Sequence, residues 1–156
     1  MAVDRDLIEK ILDAVPQKPP FRFIDSIREI DADRVVGEYR YRPDEYFYAG
    51  HFPGNPITPG VILIETMAQV SVVAFGVFQL MEEGKSGNSS GVTTLFSMVE
   101  NVEFLQPVFP GEKVIVKGEK VYFRRSSLKV NAAMEKEDGT AVCRGTLMGV
   151  GVKRDF

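Results

Sequence analysis

The chain has little of what builds disulfide frameworks and metal centres. It has one cysteine, Cys143, and one histidine, His51, among 156 residues. A single cysteine cannot form an intramolecular disulfide, and one Cys with one His cannot supply a Cys/His zinc cluster within one chain. Because an unpaired thiol suits a reducing compartment, the sequence predicts a cytoplasmic protein.

An excess of positive charge is also missing. The formal net charge is −3 and the sequence pI is about 5.3, which argues against a general nucleic-acid binder. The opening residues MAVDRDLIEK alternate in charge without a long apolar run, so no secretory signal is predicted. With 44% hydrophobic residues, the chain is expected to form one domain over 1–156.

Periodicity predicts helix at the start of the chain and strands in most of the rest. Apolar residues at helical spacing predict a helix from Asp4 to Val15, capped by Asp4 and ended by prolines. The predicted strands are Phe21–Ile30, Val35–Tyr41, Thr93–Phe104, Lys113–Phe123, Leu128–Glu137 and Ala141–Val152. Residues 83–91, EGKSGNSSG, are predicted to form a flexible loop.

One apolar segment, VILIETMAQVSVVAFGVFQL at 61–80, predicts a helix roughly 30 Å long. Thr58 is expected to cap it, with Pro59 at the first helical position. Crossing a membrane would leave Glu65 and Gln69 in hydrocarbon, so no membrane span is expected and a helix buried in the protein is preferred. The predicted fold class is therefore α+β, with an antiparallel sheet curled around one long central helix.

His51 and Glu65 are the candidate catalytic residues. His51 lies in a loop constrained by Gly and Pro, and Glu65 lies four residues before Gln69 on one face of the helix. Burial is expected to raise the pKa of Glu65, and such a carboxyl with a neutral imidazole makes an acid–base pair at neutral pH. Free N–H groups at Gly60 and Val61 are placed to bind a thioester carbonyl while an adjacent proton is removed.

Structural roles for these residues are open alternatives. A lone His in a loop is often only a surface or polar contact, and Glu65 is a candidate to pair with an arginine such as Arg40 or Arg42. Neither alternative requires catalysis.

The stretch AGHFPGNPITPGVILIE at 49–65 resembles the signature of 3-hydroxyacyl-[acyl-carrier-protein] dehydratases of the FabZ type, G-H-F-P-G-x-P-x-x-P-G-[VC]-x-x-x-E. Gln69 falls where that family has A-Q on the same helix. A second stretch, NVEFLQPVFPGE at 101–112, resembles the family's V-x-F-x-x-P-V-x-P-G-[DE].

The resemblance implies a hot-dog fold, with a long helix wrapped in a curved antiparallel sheet. It implies a homodimer that joins His51 of one chain to Glu65 of the other, often assembled into hexamers, and it implies no cofactor or metal. By the same analogy His51 removes the α-proton, Glu65 helps the β-hydroxyl leave, and the Gly60 amide holds the carbonyl. The implied substrate is an acyl group on the 4′-phosphopantetheine of acyl carrier protein, with Gly60, Val61 and Gln69 as substrate-binding residues.

Two sequence differences qualify the resemblance. The family's H-R-x-P-F near the start is QKPPF at 17–21 here, so membership of the housekeeping branch does not follow. The related FabA type, which also isomerises, has Asp at the acid position and usually Cys after the last signature Gly. Glu65 and Val61 stand at those positions and argue against isomerase activity.

Other functions stay open, because one fold hosts many reactions. A hot-dog thioesterase, an acyl-CoA hydratase and a non-catalytic acyl-binding subunit are the alternatives. Gly111–Val130 holds four Lys and two Arg against two Glu, a local charge of +4 centred on Arg124 and Arg125. This run is a candidate docking site for an acidic carrier protein, or simply a solvated strand face.

Overall fold

The computed structural model describes residues 4–84 and 92–153, so most of the predicted loop at 83–91 lies outside them. Helix α1 spans Arg5–Ala14, and the Asp4 carboxylate caps it by accepting the N–H of Asp6 at 3.0 Å. Ile11 and Val15 are fully buried in the core. The predicted N-terminal helix and its cap are confirmed.

Six antiparallel strands form one sheet in the order β1-β2-β4-β5-β6-β3. They are β1 (Ser26–Ile30), β2 (Arg34–Arg40), β3 (Val92–Phe104), β4 (Lys113–Arg124), β5 (Ser127–Lys136) and β6 (Ala141–Lys153). The five later predictions are confirmed to within about a residue at each end, whereas the first strand begins at Ser26 and not at Phe21. The backbone of Phe21 and Phe23 is instead hydrogen-bonded to the Gln69 side chain.

A continuous helical segment, Gly60–Glu82, lies against the sheet. It consists of α2 (Gly60–Ala68), a π-helical stretch (Gln69–Ala74) and α3 (Phe75–Glu82). This central helix is long and apolar enough to cross a membrane, but 78% of its most apolar window is buried inside the protein. The prediction of a buried core helix is confirmed.

The predicted capping of this helix is wrong. Pro59 is the cap residue and makes no side-chain hydrogen bond, and helical geometry begins at Gly60. The Thr58 hydroxyl, which was expected to cap the helix, lies 2.7 Å from the Tyr48 hydroxyl instead. The Thr58 hydroxyl therefore pairs with a buried side-chain hydroxyl and not with the free N–H groups at the helix start.

Glycines on three strands let the π-helical stretch approach the sheet closely. A Cβ on Gly37 would lie 2.7 Å from Val70, one on Gly118 2.6 Å from Ser71, and one on Gly149 2.3 Å from Val72. Real Cβ atoms do not approach other atoms this closely, so a side chain at any of the three would push the helix away. We call Gly37, Gly118 and Gly149 the glycine track.

Candidate active site

His51 lies in a tight loop between a 3₁₀ turn, Tyr46–Ala49, and the start of α2. The loop closes on itself: the N–H of Ile57 donates to the His51 carbonyl at 2.9 Å, and His51 Nδ1 lies 2.8 Å from the Ile57 carbonyl oxygen. Because a carbonyl oxygen only accepts, Nδ1 carries the proton and donates it. In a neutral ring, this arrangement leaves a free lone pair on Nε2, the form a general base needs.

Glu65 lies one turn into the central helix and is partly buried. Burial raises the pKa of its carboxyl, and a hydrogen bond from Gln69 partly offsets this increase. The expected direction of the shift is therefore present. A carboxyl with a raised pKa stays protonated further toward neutral pH and is suited to donating a proton.

Gln69 is fully buried, and its amide orientation is set by its partners. Its Oε1 accepts the N–H of Phe23 at 2.6 Å, and its Nε2 donates to the Phe21 carbonyl at 3.0 Å and to Glu65 Oε1 at 2.9 Å. Since Oε1 of Glu65 accepts this bond, the proton of the neutral acid resides on Oε2. Gln69 thus fixes which oxygen of Glu65 is free to donate.

The arginine pairing considered as an alternative for Glu65 is absent from the described residues. Arg40 pairs with Glu137 at 3.3 Å, and Arg42 lies 3.7 Å from Asp25. The recorded partner of the Glu65 carboxyl is the neutral amide of Gln69. Nothing charged therefore offsets the burial of this carboxyl within the described chain.

The start of α2 presents two N–H groups beside an aromatic ring. Among the described residues, no acceptor is recorded for the N–H of Gly60 or of Val61, and the Val61 side chain is 73% exposed. A Cβ on Gly60 would lie 3.0 Å from ring atoms of Phe104. Glycine at this position therefore lets the Phe104 ring lie over the helix start.

A cavity of about 180 Å³ opens beside Glu65. The central helix and β3 line it with Ala68, Val72, Val73, Thr94, Leu95 and Phe96, and Gln17 closes one side. The amide oxygen of Gln17 is buried and has no recorded hydrogen-bond partner in the described part of the chain. Sequence reasoning did not assign Gln17, Thr94 or Leu95 to the site, because no local pattern links these distant segments.

Within one chain, the structure brings together only part of the predicted set. Glu65 and Gln69 are hydrogen-bonded, whereas no hydrogen bond between His51 and Glu65 is recorded in the described chain. The imidazole instead stacks on Phe52, with ring centroids 4.1 Å apart. No group of three or more His, Cys, Asp or Glu side chains suited to a metal ion is found in the described segments.

Comparison with known proteins identifies the family. The sequence profile of the FabA-like domain matches residues 15–146. The chain belongs to the FabA-like family. Within it, the chain is 37% identical over 142 residues to a protein from Caldicellulosiruptor bescii named 3-hydroxyacyl-[acyl-carrier-protein] dehydratase FabZ, covering 90% of this chain and 95% of that one. It is 34% identical to the FabZ of Yersinia enterocolitica, covering 90% and 80%.

Solved structures with little sequence identity share the fold. The dehydratase heterocomplex ApeI:P from Xenorhabdus doucetiae matches with a TM-score of 0.76 at 12% identity, covering 92% of this chain and 91% of that one. A thioesterase from Pseudomonas aeruginosa, PA1618, matches with a TM-score of 0.62 at 13% identity, covering 98% and 96%. The predicted hot-dog arrangement is confirmed.

Proposed function

We propose that this protein dehydrates (3R)-3-hydroxyacyl-[acyl-carrier-protein] to trans-2-enoyl-[acyl-carrier-protein] in fatty-acid or related acyl biosynthesis, with the whole chain acting as one domain in the cytoplasm. The observation that carries the proposal is the Glu65 carboxyl, whose pKa is raised by burial and whose free oxygen is selected by Gln69. Membership of the FabA-like family and 37% identity to a FabZ support the same reaction. The reaction needs an acid for the leaving hydroxyl and a base for the α-proton.

His51 is the base and Glu65 the acid in this reaction. The Nε2 lone pair of His51 takes the α-proton, and the electrons of that C–H bond form the Cα–Cβ double bond as the Cβ–O bond breaks. Glu65 Oε2 protonates the departing hydroxyl, which leaves as water. The site ends with a protonated imidazole and a carboxylate, and a net proton transfer from His51 to Glu65 resets it.

Gly60 and Val61 bind the thioester carbonyl through their N–H groups. Charge builds on that oxygen as the α-proton leaves, and free N–H groups at a helix start stabilise it. Gln69 acts on substrate through Glu65, because its side chain is fully buried and both N–H groups of its amide already donate to protein oxygens. This assignment modifies the substrate-binding role that the motif predicts for Gln69.

A second copy of the chain completes the site. Strand β3 is an edge of the sheet and carries exposed Leu95, Phe96 and Val99, which a second β3 would cover as it continues the sheet. Such a homodimer brings His51 of one protomer to Glu65 of its partner, and dimers that assemble in threes make a hexamer. The oligomer's mass, measured by light scattering after size exclusion, separates dimer from hexamer.

Mixing two inactive variants tests the shared site. His51→Ala and Glu65→Gln chains, co-expressed in equal amounts, give half heterodimers if the chains pair at random. Each heterodimer has one site with both native residues, so activity returns to about a quarter of wild type. Two inactive parents whose mixture also stays inactive would contradict a site shared between protomers.

The β4–β5 hairpin is the surface for an acidic carrier protein. Lys113 and Lys117 are paired with Glu38 and Glu135, whereas no ion pair of Arg124 or Arg125 is recorded among the described residues. The hairpin end lies across β6 from Leu95 of the Glu65 cavity, since Val150 pairs with both Leu95 and Ser127.

Charge reversal tests this docking surface. Arg124→Glu combined with Arg125→Glu should raise KM for carrier-bound substrate but not for a small thioester, because only the carrier is acidic. An unchanged rate on carrier-bound substrate would refute docking here.

The reaction itself is tested by hydration of a trans-2-enoyl thioester. Purified protein should lower the conjugated absorbance to its equilibrium value without releasing free thiol, while His51→Ala and Glu65→Gln lower the rate by about 10²–10⁴-fold. Thiol release would indicate a thioesterase. Inactivity on both carrier-bound and coenzyme A substrates would overturn the proposal.

A further inference from the structure

Two buried hydroxyl groups meet where the His51 loop begins and ends. Tyr48 is 5% exposed and Thr58 is 3% exposed, and their oxygens lie 2.7 Å apart. Burial raises the pKa of Tyr48 to about 12, so its hydroxyl stays protonated at neutral pH. The segment between them, residues 49–57, carries His51 and the carbonyl that holds its ring.

Each end of the loop is tied to the body of the protein. The N–H of Thr58 donates to the carbonyl of Val108, a fully buried residue, at 2.9 Å. Tyr48 belongs to the buried hydrophobic core, and its ring also packs edge-on against its chain neighbour Phe47, with centroids 4.8 Å apart. The hydroxyl pair therefore joins two anchored points across the base of the loop.

The imidazole orientation depends on this closure. His51 Nδ1 donates to the carbonyl of Ile57, the residue directly before Thr58, and the His51 N–H lies 3.4 Å from the Tyr48 carbonyl oxygen. Movement of Thr58 away from Tyr48 would shift the Ile57 carbonyl, and Nδ1 would lose its acceptor. Both neutral tautomers would then be populated, and only one of them leaves Nε2 free as a base.

We infer that Tyr48 and Thr58 are positioning residues, whose hydroxyl–hydroxyl bond holds the Ile57 carbonyl where it fixes the Nδ1–H tautomer and direction of His51. The inference rests on the proposed role of His51 as the base for its effect on rate. Its effect on the imidazole does not depend on any activity.

The single histidine makes the test direct. In protein labelled with ¹⁵N and purified without a histidine tag, the imidazole signals belong to His51 alone. We expect one neutral tautomer in the wild type and a mixture in Tyr48→Phe and in Thr58→Val. The double variant should be no worse than the more affected single one, because both remove the same bond. Thr58→Ser, which keeps the hydroxyl, should keep the wild-type spectrum.

Tyr41→Phe is the matched control. The Tyr41 side chain is fully buried, and its hydroxyl lies 2.6 Å from that of Thr66 on α2; among the described residues, no hydrogen bond joins it to residues 49–57. It should lose comparable thermal stability while keeping the wild-type imidazole spectrum and kcat. Tyr48→Phe should lower kcat by about tenfold or more with KM changed less than about twofold, as expected for a misplaced catalytic group.

The outcomes separate this inference from the proposed function. A Tyr48→Phe protein with the wild-type imidazole spectrum and kcat, but a lowered Tm, would show a purely structural bond and overturn the inference. A wild type without hydration activity but with the expected changes in imidazole spectra would overturn the proposed reaction and leave the positioning role intact.

Discussion

Replacing Gln69 with leucine separates its structural role from its effect on Glu65. The substitution removes an acceptor from the buried N–H of Phe23 and a donor from the Phe21 carbonyl. An unsatisfied buried polar group costs about 1–3 kcal/mol; Phe21 is 40% exposed, so water recovers part of its loss. We expect a total of about 2–4 kcal/mol, or a fall in Tm of roughly 5–15 °C for a chain of this size.

The same substitution changes the proton affinity of Glu65. The Gln69 hydrogen bond lowers the pKa of that carboxyl, so its loss raises the pKa further. The proposed mechanism requires Glu65 in its protonated form, so the high-pH limit of kcat/KM should move to higher pH. The measurement is the gain in enone absorbance from a 3-hydroxyacyl thioester across a pH series, with differential scanning calorimetry on the same samples.

Gln79→Leu is the matched control, because Gln79 is 5% exposed and bonds the Ala32 carbonyl and Lys120 at the far end of the central helix. It should lose stability without moving the pH limit. A Gln69→Leu protein with lowered Tm but an unmoved limit would refute control of Glu65, and one with the wild-type Tm would refute the structural role.

Three further substitutions have defined outcomes. Glu65→Gln should raise Tm at pH 7.5, and the gain should shrink progressively toward pH 4. The pKa of Glu65 is raised in the folded state, so its ionisation at higher pH destabilises the wild-type fold, and a neutral glutamine avoids that loss. An equal gain in Tm at both pH values would contradict this. Gly149→Ala should lower Tm by several degrees, since its Cβ would lie 2.3 Å from Val72; an unchanged Tm would show that the helix yields easily. Gln17→Met should raise Tm by roughly 2–4 °C by removing a buried unpaired oxygen, and a fall would show that the amide has a partner.

Local patterns predicted the parts of this protein that depend on neighbouring residues. The central helix, the later strands and the Asp4 cap follow from spacing and residue type, and all appear in the structure. The pair of Glu65 and Gln69 follows from helical spacing alone, and their hydrogen bond is present. The raised pKa of Glu65 follows from an apolar helix in the same way.

What the sequence did not predict depends on residues far apart in the chain. The Gln69 side chain hydrogen-bonds backbone groups 46 and 48 residues away. Residues Phe21 and Phe23 therefore pair with Gln69, and the first strand begins later than predicted, at Ser26. Thr58 has the residue type and position of a helix cap, but its hydroxyl pairs with the buried hydroxyl of Tyr48. The π-helical stretch has no simple sequence signal, since it accompanies packing against strands that fold onto it.

The glycine track has a consequence for changing what this site accepts. With Val70, Ser71 and Val72 each packed against a glycine, the helix has no room to shift toward the sheet and enlarge the cavity beside Glu65. The size of the cavity beside Glu65 is therefore set by the side chains around it, such as Ala68, Leu95 and Phe96. Under the proposed function, acyl-length preference is best engineered at those walls, where a substitution alters the cavity volume without displacing Glu65.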